Sequence, residues 1–244
     1  MAHTEPSLLE RLQGVIERTY DLDTGVRDIG RYVIGDEGYR RFYGRSLTAG
    51  GVVETVGAAS SREAGTAPST VPGARTLVRE SGTGQVAVSV YYPDRLIDSL
   101  ERNDPTRVLH DGNVDDFVVL VEELDHFLVI AERVRSRGVL SLLDLELHAN
   151  VTKHLVLSLF VARLRGSRRL SAADEAWIRW HLFEKAEYSD PDPAVRGRYR
   201  DAARLAARYV RWLARRPAAA RVGDLRRFHR MPPQSKIACI NALS

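Results

Sequence analysis

Two long segments near the middle of the chain, residues 117–130 and 142–157, are apolar on almost every side. Both are rich in Val and Leu and contain neither Gly nor Pro. A helix that is hydrophobic all round is usually buried in a protein core. Since Gly138 lies between the segments, the pattern predicts two separate buried helices that form a pair.

Each of these predicted helices also carries a polar stripe. Glu122 and Glu123 precede His126 by four and three residues, which places them on adjoining parts of one helical face. The second helix has polar residues at positions i, i+4, i+7 and i+8, namely Glu146, Asn150, Lys153 and His154. Burying an unpaired charge costs several kcal/mol, so these stripes must meet each other, water or a metal. We expect them to converge on one enclosed site.

The first half of the chain has the patterns of short strands between two helices. Ser7 and Glu10 form a capping-box pattern that begins a helix through about Tyr20, which we expect to pack on a sheet. Residues 58–69 are rich in small residues and predict a surface loop or mobile flap. The other predicted elements are a strand at 31–34, a turn at 35–38, an extended run at 51–56, a hairpin of 74–78 with 85–92, and a helix at 94–102.

The second half of the chain has helical patterns to nearly its end. Ser171 is an N-cap residue for a helix to about Tyr188, and the prolines of 189–193 end it. Further helices are predicted at 194–215, 222–230 and 235–243. The fold class is therefore α+β, with a mixed region at 1–110 that holds a small β-sheet and a helical region at 111–244 that carries the polar helix pair.

The composition is that of an ordinary globular protein. Of the 244 residues 44% are hydrophobic, and the formal net charge is +4. The single cysteine, Cys239, excludes an internal disulfide and a zinc site built from cysteines. Almost every cation is Arg, as is common in proteins of GC-rich bacterial genomes. The basic run at 196–230 is mixed with Ala and Leu and has no aromatic platform, so the charge disfavours nucleic acid as a partner.

The helix pair resembles the core of gluzincins, the thermolysin-like zinc metallopeptidases. In that zincin family a strand precedes a helix with His-Glu-x-x-His, and a later helix supplies Glu-x-x-x-Asp. Here a strand at 85–92 precedes a degenerate Glu-Glu-x-x-His at 122–126, and Glu146 is followed by Asn150. The resemblance covers about residues 85–157. It implies a zincin-like core that hydrolyses peptide bonds through a metal-activated water.

The resemblance also implies a role for each residue of the motif. Glu122, His126 and Glu146 would bind the metal, and Glu123 would be the general base. Asn150 would not bind the metal itself but would orient the His126 ring, and Lys153 would also lie just outside the ligands. Because Glu122 stands where the family has a histidine, the ligand set is rich in carboxylate. The metal could therefore be Zn, or Mn or Fe, which prefer harder ligands.

The alternative is a protein without catalytic activity, in which the polar stripes form a buried ion network. Lys153 and Arg133 would then balance the three glutamates, while His126 and Asn150 would complete the hydrogen bonds. Such a pseudoenzyme would be an interaction or regulatory protein with a peptide or protein partner. A di-iron bundle is disfavoured because the chain lacks a second Glu-x-x-His in this region.

The sequence also bears on where the protein works. Its first residues lack the basic and apolar regions of a signal peptide, and no run reaches the roughly 18 apolar residues that a membrane span requires. These observations predict a cytoplasmic bacterial protein that has no membrane partner.

Overall fold

The computed structural model describes residues 6–42, 53–56, 73–80, 85–185, 188 and 190–243. The predicted loop at 58–69 lies outside this part of the chain. In chain order the helices and strands are α1 (Leu8–Tyr20), β1 (Val33–Ile34), α2 (Asp36–Phe42), β2 (Val53–Val56), β3 (Arg75–Glu80), β4 (Val86–Tyr91), α3 (Asp94–Arg102), α4 (Val114–Ser136), α5 (Leu142–Leu164), α6 (Ala172–Arg179), α7 (Pro193–Arg215), α8 (Ala218–Arg230) and α9 (Pro233–Ala242).

The strands form one small mixed sheet in the order β1-β4-β3-β2. β4 pairs in parallel with β1 and antiparallel with β3, and β3 pairs antiparallel with β2. Val90 of β4 lies between Val33 and Thr76 of its two neighbours. This confirms the predicted α+β class and the predicted hairpin. The zincin-like core is a finer prediction that the sheet does not establish.

Helices α4 and α5 form the centre of the molecule. α4 packs on β3 and β4 through one side and on α5 through another, while α5 also packs on α7. A continuous hydrophobic cluster joins Leu12 and Val90 of the first region to Phe117, Leu147 and Val210 of the second. The predicted regions 1–110 and 111–244 therefore share a core.

The ends of α4 are fixed by local hydrogen bonds. The buried Asn113 amide donates to the carbonyls of Asn103 and Val108 at 2.9 and 2.8 Å, which anchors the start of the helix. At the other end Arg137 has a left-handed conformation with φ 52°, and Gly138 N–H donates to Arg133 O at 2.8 Å. This Schellman-type ending turns the chain back so that α5 can pack against α4.

Three local predictions differ from the structure. Residues 29–32 form a 3₁₀ turn, which leaves only Val33 and Ile34 for β1. All but the first residue of the predicted turn at 35–38 belong to α2, where Asp36 receives a hydrogen bond from the Tyr91 hydroxyl at 2.7 Å. The helix from Ser171 becomes a π-helical turn after Arg179 and ends at Glu184. Long-range contacts such as that of Asp36 are not visible in a local pattern.

The first helix also packs differently from the prediction. α1 has the predicted capping box at Ser7 and Glu10, but its main neighbours are α4 and α8. Its buried side, which includes Leu12, Ile16 and Tyr20, therefore faces other helices.

Among the described residues, none of the helices combines the length and apolar composition needed to cross a bilayer.

Candidate metal centre

The polar stripes of α4 and α5 meet at a buried cluster of Glu122, His126 and Glu146. Each residue offers one ligand atom, and these three atoms lie within 4.8 Å of one another. His126 Nε2 and Glu146 Oε2 are 3.7 Å apart, too far for a hydrogen bond. Donor atoms around one zinc-sized ion are separated by up to about 4.2 Å, since each lies about 2.1 Å from it. Small side-chain rotations would therefore let this cluster hold a metal ion.

Several buried atoms of the cluster lack a hydrogen-bond partner within the described part of the chain. They are both ring nitrogens of His126 and Oε2 of Glu146. These side chains are 0% and 1% exposed, so bulk water does not reach them. Buried polar groups are nearly always paired, so these atoms require a partner such as an ordered water or a metal ion.

Lys153 is the cation that the cluster already contains. Its Nζ lies 3.1 Å from Glu122 Oε2, and both side chains are about one-tenth exposed. This contact agrees with the predicted pairing of Lys153 with an acid of α4. Because a carboxylate has two oxygens, Glu122 can contact Lys153 through one and a metal through the other. The positive charge nevertheless opposes metal binding.

Burial and neighbouring charges determine the protonation of the cluster. Burial and the charge of Glu122 raise the pKa of Glu146 to about 8, so Glu146 is protonated at neutral pH. Burial lowers the pKa of His126 to about 4, which leaves the imidazole neutral and able to bind a metal. A divalent ion would stabilise the ionised form of Glu146 and release its proton.

Glu123 does not join the cluster of ligand atoms. Its Oε2 accepts a hydrogen bond from the Thr76 hydroxyl on β3 at 3.0 Å, and its side chain is fully buried. Burial raises its pKa well above the usual value for a glutamate, and the charge of Glu122 adds to the effect. Glu123 therefore faces the sheet rather than the partly exposed edge at Glu122 and Lys153.

Asn150 and Arg133 contact residues other than those predicted. The Asn150 amide donates to Glu146 O, one turn earlier in its own helix, at 2.9 Å. The predicted balancing role of Arg133 is wrong, because its guanidinium donates to His229 O at 3.1 Å and lies near Glu132. Arg133 is 11 residues, about three turns, from Glu122, and α8 provides its partner.

A second buried polar network, which lies beside the cluster where α4 also meets α5, was not predicted. His148 Nδ1 lies 2.8 Å from Asp125 Oδ2, and His148 Nε2 lies 3.1 Å from His229 Nδ1. His229 Nε2 lies 2.8 Å from Glu132 Oε2. The network joins α4, α5 and α8. Asp125 and His148 lie in apolar runs, which is a sequence signal for buried polar residues. His229 lies among arginines in a polar stretch and carries no such signal.

Asp125 is the most deeply buried acid of this second network. Burial alone would raise its pKa, but His148 and the Thr152 hydroxyl, which donates to Oδ1 at 2.7 Å, lower it overall. Tyr20 of α1 completes the group, since its hydroxyl lies 3.0 Å from Thr152 Oγ1. The network thus satisfies its buried acid with hydrogen bonds, in contrast to the cluster at His126.

His154, the last residue of the α5 stripe, lies apart from both groups and stacks on Phe183. Burial lowers its pKa to about 4, from an ordinary value near 6.5. The unfolded chain therefore takes up this proton first as the pH falls. We expect stability to be lost between pH 6.5 and 4 by up to about 1.4 kcal/mol per pH unit from this residue. Urea unfolding at several pH values should show a shallower loss in His154→Leu, and an unchanged slope would contradict the assignment.

Comparison with known proteins gives no family assignment. No family model, curated protein or solved structure matches the chain. The cluster of Glu122, His126 and Glu146 is not enough by itself to identify a zincin. Function must therefore be argued from the chemistry of the site.

Proposed function

We propose that this protein binds one divalent transition-metal ion between α4 and α5, through Glu122, His126 and Glu146. The observation that carries the proposal is that both ring nitrogens of His126 and the Oε2 atom of Glu146 are buried side by side without hydrogen-bond partners among the described residues. A metal ion would bind one ring nitrogen of His126 together with Oε2 of Glu146. The ion network alone, with Lys153 bonded to Glu122, leaves them unpaired.

The donor set indicates which ions would suit the site. Two carboxylates and one imidazole form a harder set than the histidine-rich site of a zinc peptidase, so Mn²⁺ and Fe²⁺ are suitable as well as Zn²⁺. Three protein ligands also leave at least one coordination position for water or a substrate. A bound ion would polarise a ligand in that position.

Peptide hydrolysis remains a prediction from the sequence and is not part of this proposal. It would require Glu123 to remove a proton from water at the metal. Its Thr76 bond and its place beneath β3 give Glu123 the environment of a protonated core residue. A regulatory or structural metal site, with a peptide or protein partner, is equally consistent with the donor geometry.

Thermal unfolding of the chelator-treated protein tests the proposal. A ligand at a hundred times its Kd stabilises the folded state by about 2.7 kcal/mol, which corresponds to a rise in Tm of about 5–10 °C for a chain of this size. We expect this rise with Mn²⁺, Co²⁺ or Zn²⁺ and not with Na⁺ at equal ionic strength. The variant His126→Gln removes one proposed ligand, and its Tm should not rise when the divalent ion is added. A Tm that does not change with any of these divalent ions would refute metal binding.

A further inference from the structure

The last three helices, α7 to α9, carry a large excess of positive charge. Residues 193–242 contain thirteen Lys and Arg residues but only two Asp and no Glu, which is a formal charge of +11. The whole chain has a formal charge of +4, so the other residues together carry −7. A charge distribution this uneven favours the approach of an acidic partner to the C-terminal helices.

A surface groove on α8 gathers part of this charge. It has a volume of about 540 Å³ and is lined by Gly223, Arg226, Arg227, Arg230, Met231 and Pro232. The first four of these residues stand at positions i, i+3, i+4 and i+7, so they lie on one face of α8. Three arginines therefore border the groove within little more than one helical turn.

The acids that the structure describes beside these arginines compensate their charge only in part. Arg230 contacts Asp21 at 2.5 Å, and both side chains are more than half exposed. Asp224 lies 3.7 Å from Arg227, but it is buried and is bound more closely by Arg216, at 3.0 Å. The Arg227 side chain is 70% exposed, so it remains available to a carboxylate that arrives from solvent.

Arg226 is the third arginine of the groove, and none of the ion pairs between described residues includes it. Its guanidinium donates to Arg18 O, in the last turn of α1, at 3.0 Å. That acceptor is a neutral carbonyl, and Arg226 Nε is buried without an acceptor in the described part of the chain. The positive charge of Arg226 is therefore left for a ligand.

The rest of the groove is apolar and has free space. Met231 and Pro232 border it, and a Cβ added at Gly223 would meet no described atom within 4 Å. An apolar side chain of a ligand can therefore lie over Gly223. None of the six lining residues is aromatic, so the groove offers no ring on which a nucleic-acid base could stack. This combination favours a peptide with acidic and apolar side chains over a nucleic acid.

We infer that the groove on α8 binds an acidic segment of a partner protein. Asp or Glu side chains of that segment pair with the three arginines, and an apolar side chain between them lies over Gly223 against Met231. Arg suits carboxylates because its planar guanidinium donates two parallel hydrogen bonds to their two oxygens. This interaction surface is separate from the proposed metal site and does not depend on it.

The test is fluorescence anisotropy of the full chain with a labelled peptide of four Glu-Leu-Asp repeats. At about 0.15 M salt, where charges more than roughly 8 Å apart are largely screened, we expect saturable binding. A peptide of Gln-Leu-Asn repeats should not bind. Arg226→Gln combined with Arg230→Gln should weaken binding tenfold or more. The same pair changed to Lys keeps both charges and should give intermediate affinity, which guards against a folding defect.

The control for these variants is Arg31→Gln combined with Arg107→Gln. It changes the net charge equally, at side chains that are 82% and 85% exposed and lie outside the groove. We expect it to weaken binding less than threefold, because unspecific attraction to the whole chain is weak at this salt concentration.

Gly223→Leu tests the space for the apolar side chain. It fills that space and keeps every charge, so it should weaken peptide binding tenfold or more. Gly197→Leu on α7 is the control, since a Cβ added there also meets no described atom within 4 Å, and it should bind like the parent chain.

The contrary results are equally specific. No binding of the acidic peptide, equal binding of the Gln-Leu-Asn peptide, equal losses in the two double Gln variants, or full affinity in Gly223→Leu would overturn the inference. A single-stranded RNA or a DNA duplex that binds more tightly than the peptide, and loses affinity when Arg226 and Arg230 are changed, would assign the groove to nucleic acid instead.

Discussion

Glu146→Gln should weaken divalent metal binding by about 100-fold or more. Loss of a group that merely supports a ligand typically lowers metal affinity by about 10- to 100-fold, so the loss of a ligand itself should reach at least that range. Gln keeps the shape of the side chain but removes the negative charge that holds the ion. Direct titration with Mn²⁺ or Zn²⁺ by calorimetry measures the change.

The same substitution should hardly alter the metal-free protein. Because burial keeps Glu146 protonated at neutral pH, Gln exchanges one neutral group for another of equal size. We expect the free energy of unfolding without metal to change by less than about 1 kcal/mol. Glu101→Gln, an exposed change on α3, is the control for both measurements. Undiminished metal affinity in Glu146→Gln would exclude Glu146 as a ligand.

Lys153→Met should lower the stability of the metal-free protein but tighten metal binding, so that metal offsets part of the loss. Without metal, the change removes the partner of the largely buried Glu122, and loss of one member of such a pair costs about 3 kcal/mol or more. With metal, the change removes a positive charge beside the ion and should tighten metal binding by about tenfold. Urea unfolding with and without saturating Mn²⁺ measures both effects.

The exposed pair of Lys185 and Asp115 provides the control for this prediction. Their side chains are 28% and 62% exposed, so Lys185→Met should cost no more than about 1 kcal/mol. It should also leave metal affinity unchanged. If Lys153→Met destabilised the protein equally with and without metal, Lys153 would be a purely structural partner of Glu122, and the competition between lysine and metal would be wrong.

Much of the helical framework could be predicted because its signals are local. The apolar runs predicted α4 and α5, and the i, i+4 spacing of Glu122 and His126 placed both on the side that meets Glu146. A helix position also shows which residues share a face. It does not show which neighbour that face meets, and this is why the sequence predicts Glu123 as a general base beside the metal although its side chain contacts Thr76.

The remaining contacts depend on tertiary packing. Arg133 and His229 are brought together by α8, which lies nearly a hundred residues further along the chain. Asp36 belongs to a helix rather than a turn because Tyr91 and Asp94 provide its hydrogen bonds. Residue spacing alone could not reveal either arrangement, since the partners are far apart in the sequence.

The central claim is that Glu122, His126 and Glu146 bind one metal ion between α4 and α5. The most direct measurement is anomalous X-ray diffraction at the absorption edge of Mn or Zn, from crystals grown with that metal. We predict a single strong peak about 2.0–2.2 Å from a donor atom of each of the three side chains. A peak at other residues, or an ordered Glu122–Lys153 pair with no peak beside His126 at saturating metal, would contradict the claim.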